Sequence, residues 1–297
     1  MGKSIRLPGL GVASFSAALV AASTAGCAHA PSPLVPSWQG SIGTPDEGCL
    51  TAGACLAADA EGLAWLRRDD RHWGLPRFVQ AIQRAAATVA RERPGAALRV
   101  GDLSARGGGH LSPHFSHRSG TDADLLLYVS TLDGAPVPSP GFVHFGPDGL
   151  ARDPAHGRWL RLDVDREWRL VRALLQDPDA RIQWIFVNDA VRATLLEWAL
   201  ARGESPEVVR RATEVMLQPH PGGLHDDHIH VRTACTAAEI AAGCEPMGPR
   251  RTWLPPAPPS PAPSDDDRRL ALSLMTPLEE PVPAPPQVAS PYAESWP

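Results

Sequence analysis

Lysine is almost missing from this chain. Only Lys3 occurs in 297 residues, and arginine supplies nearly all of the 28 basic side chains. That bias is compositional and carries no mechanism. Against 33 acidic residues the net charge is -5, and the arginines nowhere form the basic block that binding a phosphate backbone calls for. Nucleic acid is therefore not an expected partner. An apolar run long enough to span a bilayer is also lacking, because the stretch from Leu10 to Gly26 is short and rich in small residues. The H-E-x-x-H pattern of the commonest zinc peptidases is absent. What remains is an ordinary globular composition, with 43% hydrophobic residues and length enough for a real core.

Lys3 and Arg6 ahead of that apolar stretch read as an export signal. Two processing sites compete: cleavage after Ala28-His29-Ala30, or a lipoprotein box Ala25-Gly26-Cys27 with Cys27 acylated. Pro31 just past the first cut favours the second, although Thr24 stands where such a box usually has Leu. On this reading residues 1–27 are the signal, 28–43 a Pro- and Ser-rich tether, 44–252 the folded domain and 253–297 a Pro-rich tail expected to be disordered. Trp253 and Trp296 leave a partner site in that tail open. The protein is expected in the periplasm, meeting a membrane only through a lipid on Cys27. Setting Cys27 aside leaves close pairs, Cys49 with Cys55 and Cys235 with Cys244, which in an exported chain read as disulfides. Each would contribute ~2–3 kcal/mol on the chain-entropy model. A zinc knuckle would need tighter C-x2-C spacings.

Periodicity in the central part predicts one α+β domain, with helices flanking a sheet. Phe78, Val79, Ile82, Ala86 and Val89 make a helical stripe over Pro76 to Arg93, stopped by Pro94-Gly95. Further helices are expected over Trp168 to Leu175, Ala190 to Ala201, and from Pro206, after the cap residue Ser205, to about Leu217. Strands are expected over Ala97 to Leu103, Asp122 to Val129, Ile182 to Val187 and Ile229 to Thr233.

Two segments crowd ionisable groups against these strands: HFSHRSGTDAD from His114 and HDDHIH from His225. Burying charge without a partner is expensive, so the groups must pair or share a cation. Strand side chains alternate, so His228 and His230 share a face ~6.6 Å apart, as do Asp122 and Asp124, while the Ser119-Gly120 turn can return His117 over that face. His117, Asp124 and His230 thus become candidate ligands of one cation. Two imidazoles and a carboxylate suit zinc, with a fourth position left for water. Zinc can make hydroxide at neutral pH and polarise an amide carbonyl, and with no Glu base at hand His228 is the candidate general base. His114 and His225 stand between outer partner, substrate contact and additional ligand. Asp122, Asp226 and Asp227 are assigned to supporting ligands or to turns, and His110 to the entrance. His29, His72, His144, His156 and His220 are read as solvent-facing without chemistry.

Together SHRSGTDAD and HDDHIHVR resemble the penicillin-insensitive murein endopeptidases, of the lysostaphin, D-Ala-D-Ala metallopeptidase and hedgehog-type superfamily, whose pattern is H-x6-D followed by H-x-H. The resemblance extends through GSIGTPDEGCLTAGACL, RRDDRHWGLPRFV, GDLSARGGGH, WIFVNDAV and HVRTAC, and covers residues 40 to 248. It implies a small central antiparallel sheet carrying the zinc site, and a zinc peptidase that cuts D-alanyl to meso-diaminopimelyl crosslinks of peptidoglycan. By position His117, Asp124 and His230 match the zinc ligands and His228 the catalytic histidine, while His114 and His225 fall on further site histidines. Arg118 replaces the usual Gln. Asp148-Gly149-Leu150-Ala151 lacks the His of a second metal site, so one zinc ion is expected. A D,D-carboxypeptidase on uncrosslinked stems would use a Glu base that this segment does not offer; a non-catalytic peptidoglycan-binding lipoprotein would have no need of an open zinc site.

Overall fold

The computed structural model describes residues 39–220 and 223–255, with 265, 266, 269 and 272. The export signal, Cys27, His29, the tether up to residue 38 and most of the Pro-rich tail lie outside the described residues.

In chain order the elements are β1 (Ser41–Gly43), β2 (Gly48–Leu50), β3 (Ala54–Cys55), β4 (Leu63–Trp65), β5 (Trp73–Gly74), α1 (Pro76–Glu92), β6 (Leu98–Val100), β7 (Asp122–Leu126), β8 (Val129–Thr131) and β9 (Pro136–Val137). They continue with β10 (Leu150–Asp153), β11 (Arg158–Leu162), α2 (Val164–Gln176), β12 (Ile182–Phe186), α3 (Asp189–Ala201), α4 (Pro206–Val215), β13 (Met216–Leu217), β14 (His228–Thr233) and α5 (Ala237–Ala241). The centre is a six-stranded sheet of order β13-β12-β14-β7-β6-β4. Its middle pairs are antiparallel, as expected, and the two outermost pairs, β12 with β13 and β4 with β6, are parallel. A second sheet, β10-β11-β8-β9, is antiparallel throughout. The chain enters it directly from β7, so one extended run serves both sheets.

The apolar stripe of α1 is buried at Phe78, Val79, Ile82, Ala86 and Val89, with Pro76 opening the first turn where a missing N–H costs nothing. α1 packs on α2, and α2 packs on α3 and α4. α2 begins at Val164, earlier than its apolar stripe suggested, because the Asp163 carboxylate accepts the Arg166 N–H and caps the helix. α4 ends at Val215, where Met216 and Leu217 turn extended to pair beside Ile185 and Phe186. β7 is buried on both faces: Ala123 and Leu125 enter the hydrophobic core, and Asp122 and Asp124 occupy the other side.

Of the two anticipated disulfides, Cys235–Cys244 is present, with Cα atoms 6.2 Å apart. Cys49 and Cys55 are not joined to each other. Cys49 pairs within the β1–β2 ribbon opposite Ile42, and Cys55 within the separate β3–β5 ribbon opposite Trp73, so the two strands hold them apart. No helix among the described residues is long and apolar enough to cross a membrane.

Candidate active site

The antiparallel register of β7 and β14 assembles the site. Asp124 stands opposite His230, Asp122 opposite Arg232, and Leu126 opposite His228. The third contributor comes from the loop before β7. His117 holds φ at 66°, in the left-handed region, and Gly120 follows at φ 76°. A β-carbon on Gly120 would lie 2.8 Å from the Leu50 side chain, so glycine is what lets this turn press against the core. The turn returns His117 over the buried end of β7, as its sequence anticipated.

Asp124 is the hub. Its Oδ1 lies 3.2 Å from His117 Nε2, 3.3 Å from His228 Nε2 and 3.4 Å from His230 Nδ1, and its Oδ2 lies 3.7 Å from His114 Nδ1. Each imidazole is fixed from behind by an acceptor on its other nitrogen. His117 Nδ1 donates to the Leu103 carbonyl at 2.7 Å, and His114 Nε2 donates to Asp102 at 2.7 Å. His228 Nδ1 meets Asp227 at 2.5 Å, and His230 Nε2 meets Asp122 at 2.9 Å. For His114, His117 and His230 those acceptors place the ring proton on the outside, which leaves the inward nitrogen as a lone-pair donor. Arg232 in turn holds Asp122 through Nε at 2.6 Å.

Protonation follows from this layout. Burial disfavours charge on Asp122, but the Arg232 guanidinium and the His230 hydrogen bond outweigh it and keep the carboxyl far below the usual range. Asp124 likewise stays ionised against its burial, held down by His117 and His228. Burial pushes His230 down to about 4. For His228 burial is outweighed by Asp124 and Asp227, which raise it to about 10.

The inner atoms are where a cation fits. His117 Nε2 and both carboxylate oxygens of Asp124 are buried with no hydrogen-bond partner, a costly arrangement for a folded protein. His114, His117 and Asp124 offer ligand atoms within 4.8 Å of one another, as do His225, His228 and His230. The anticipated trio of His117, Asp124 and His230 spans these two sets and is joined through Asp124 Oδ1. Oxygen and imidazole nitrogen donors in this mixture suit a divalent ion.

Other histidines separate clearly. His225, at φ 48°, donates through Nδ1 toward the Gly223 carbonyl at 2.8 Å, and its ring centre sits 5.1 Å from that of His228, inside the site. His110 is exposed. His72 is not solvent-facing as read from sequence: it is fully buried and stacked on Trp65 at 3.9 Å. His144, read as inert, pairs with Asp226 at 2.7 Å and lies 4.0 Å from Asp227, the carboxylate that holds His228. Sequence reasoning missed Asp102, which is buried and collects His114, Arg67 and Arg71. It also missed Phe142 and Phe186, which stand edge-on to His228 and His230 at 5.2 and 5.3 Å. Asp102 sits in the GDLSARGGGH segment, and a buried-strand exit followed by an acid was the available signal.

An α+β fold that gathers four imidazoles around one buried carboxylate defines, as a class, a protein with a candidate histidine and carboxylate metal centre. Comparison with known proteins specifies which. The family model for penicillin-insensitive murein endopeptidases matches residues 41–252, and the chain belongs to that family. Relatives of that name include one from Haemophilus influenzae, 29% identical over 229 residues that make up 72% of this chain and 71% of that protein. Another, from Shigella boydii serotype 18, is 27% identical over 252 residues, or 79% of this chain and 83% of the relative. One from Escherichia coli is 28% identical over 224 residues, covering 72% and 73%.

Proposed function

We propose that the protein is an exported, zinc-dependent murein endopeptidase that hydrolyses D-alanyl to meso-diaminopimelyl crosslinks of peptidoglycan. Family membership and the names of the relatives support endopeptidase action on murein. The observation that carries the metal assignment is the convergence of orphaned, buried donor atoms on Asp124 and His117 beside His230 Nδ1. His117, Asp124 and His230 would hold one zinc ion, with His114 close enough to assist. Bound zinc would acidify a water molecule and polarise the scissile carbonyl.

The chain's own residues supply the rest. Asp122, locked by Arg232, keeps His230 in the tautomer that presents Nδ1. His228 faces the same point through Nε2 and is clamped by Asp227; a cation on Asp124 would offset the carboxylate charge that raises its pKa, leaving Nε2 free to take the proton of the attacking water and return it to the leaving amine. Phe142 and Phe186 pack edge-on against the His228 and His230 rings and hold their orientation. Because the nucleophile is water, a β-lactam would find no serine to acylate. The export signal, the acylation of Cys27, the tether and the Pro-rich tail remain part of this proposal, and the periplasm is where such a substrate is met.

The test is digestion of purified crosslinked muropeptides with and without a chelator, for wild type, His230→Ala and His228→Ala. Zinc-dependent conversion of dimers to monomers that needs both histidines is the expected result. Release of free D-Ala would instead indicate a carboxypeptidase, and retention of muropeptides with no product would indicate a binding lipoprotein.

A further inference from the structure

β12 and β14 carry the active site at one end only. Phe186 pairs with His230 there, and Ile182 pairs with Thr233 at the other end, about 13 Å away at ~3.3 Å per residue. At that far end opens a cavity of about 330 Å³ whose wall includes Arg181, Arg250, Arg251, Gln183, Ile240 and Gly248. Among the described residues no Asp or Glu lines it.

Arg181 is the unbalanced member. It makes no ion pair with any described residue, and its Nε is buried without a hydrogen-bond partner. Glu239, whose charge reaches it, is already engaged by Arg77 through both oxygens, at 2.7 and 2.8 Å. Arg181 as a whole is only partly buried, but its Nε is withdrawn from water with no acceptor, which is unfavourable, and burial together with the neighbouring Arg77 lowers its pKa. Its backbone, at φ 46°, lies in the left-handed region that a β-carbon disfavours. Among the described residues three that are not glycine have a positive φ, and the other two are His117 and His225, both in the candidate active site.

Gln183 gives the complementary signal. Only 3% of its surface is exposed, yet its Oε1 has no partner. The cavity thus presents one unpartnered guanidinium donor, Arg181 Nε, beside a buried acceptor that lacks a donor, while Arg251 is already engaged by the Gln183 backbone carbonyl through Nε at 3.2 Å and Nη2 at 2.9 Å. Gly248 keeps the space open, since a β-carbon there would stand 2.5 Å from Trp184 Nε1 and 2.9 Å from the Gln183 amide carbon. One chemical unit satisfies both demands: a carboxylate with an amide N–H on the adjacent carbon, as at the C-terminus of a peptide. Ile240 and Leu254 offer apolar wall for a small side chain.

We infer that this cavity is a second ligand site, separate from the catalytic centre, which binds the C-terminal carboxylate and last amide N–H of a short peptide. Naming a peptidoglycan stem as the source rests on the proposed function. The site itself does not.

Isothermal titration of the full chain with N-acetyl-D-alanine tests the site, with N-acetyl-D-alaninamide as the neutral control. Saturable binding is expected, weakened roughly tenfold or more for the amide and in Arg181→Gln, since a charge-assisted bidentate contact is lost. Arg250→Gln, at an exposed position, should weaken binding without risk to the fold, and circular dichroism checks Arg181→Gln. His230→Ala should leave the affinity unchanged. Absence of saturable binding, equal binding of the amide, or loss in His230→Ala with retention in both arginine variants would overturn the inference. Because N-acetyl-D-alanine contains no crosslink, failure of the crosslink digestion would leave this result untouched.

Discussion

Glu167 offers a quantitative check on the packing between α2 and the β7–β8 run. The carboxyl is fully buried in the first turn of α2, where Oε2 accepts the Tyr128 N–H at 2.9 Å and Oε1 has no partner. Burial raises its pKa from 4.5 to about 8, outweighing the hydrogen bond from Tyr128. The folded state therefore keeps a proton that the unfolded chain releases above its ordinary pKa. Stability from this group is fully present below about pH 4.5 and declines until pH reaches about 8, after which it is flat. At about 1.4 kcal/mol per unit, the loss is on the order of 3 kcal/mol at pH 7 and about 5 kcal/mol above pH 8. Glu167→Gln keeps the acceptor for Tyr128 N–H and removes the ionisation. Urea unfolding of both proteins at several pH values from 5 to 9 isolates the effect, because all other titrations, including those of the site, cancel in the difference. The variant should gain on the wild type by about 1.4 kcal/mol for each pH unit and level off near pH 8. A difference that stays flat with pH would mean that Glu167 is ionised and partnered in the fold, and the reasoning would be wrong.

Other perturbations follow from the same geometry. Asp122→Asn removes the charge that joins Arg232 to His230; zinc affinity should drop ~10–100-fold, measured by competition with a chromogenic chelator. Asp102→Asn frees His114, Arg67 and Arg71 together, and should lower kcat on crosslinked muropeptides by ~10-fold or more while far-ultraviolet dichroism stays constant. Asp163→Ala removes the cap of α2 and its ion pair with Arg166, at a cost of about 1 kcal/mol in chemical denaturation. Leu125→Ala opens a void where β7 meets the core and should destabilise by ~2–5 kcal/mol, with a shift in urea midpoint and no change in zinc stoichiometry.

Much of the fold was legible because its signals are local. The α1 stripe, Pro206 opening α4 after Ser205 and the apolar runs of β7 and β12 each depend on neighbouring residues. The short strands β1 to β5 were not legible, since two- and three-residue ribbons carry no period. The β10–β11 hairpin was missed for a different cause: its exposed positions are occupied by Arg152, Trp159 and Arg161, and Trp159 blurs the alternation. Cys49 and Cys55 misled because closeness in sequence was taken for closeness in space, and the strands holding them belong to separate ribbons.

The sequence by itself determined the residue types of the centre and their grouping. Strand alternation is a local rule, so Asp122 with Asp124 and His228 with His230 were bound to share faces. Only the tertiary structure decided that Asp124 faces His230 directly, that Asp102 reaches His114, and that Arg181 lies without an acid. These depend on register and on which loop covers which strand. Both are set by long-range packing, which places residues 108 positions apart, Asp122 and His230, within a hydrogen bond.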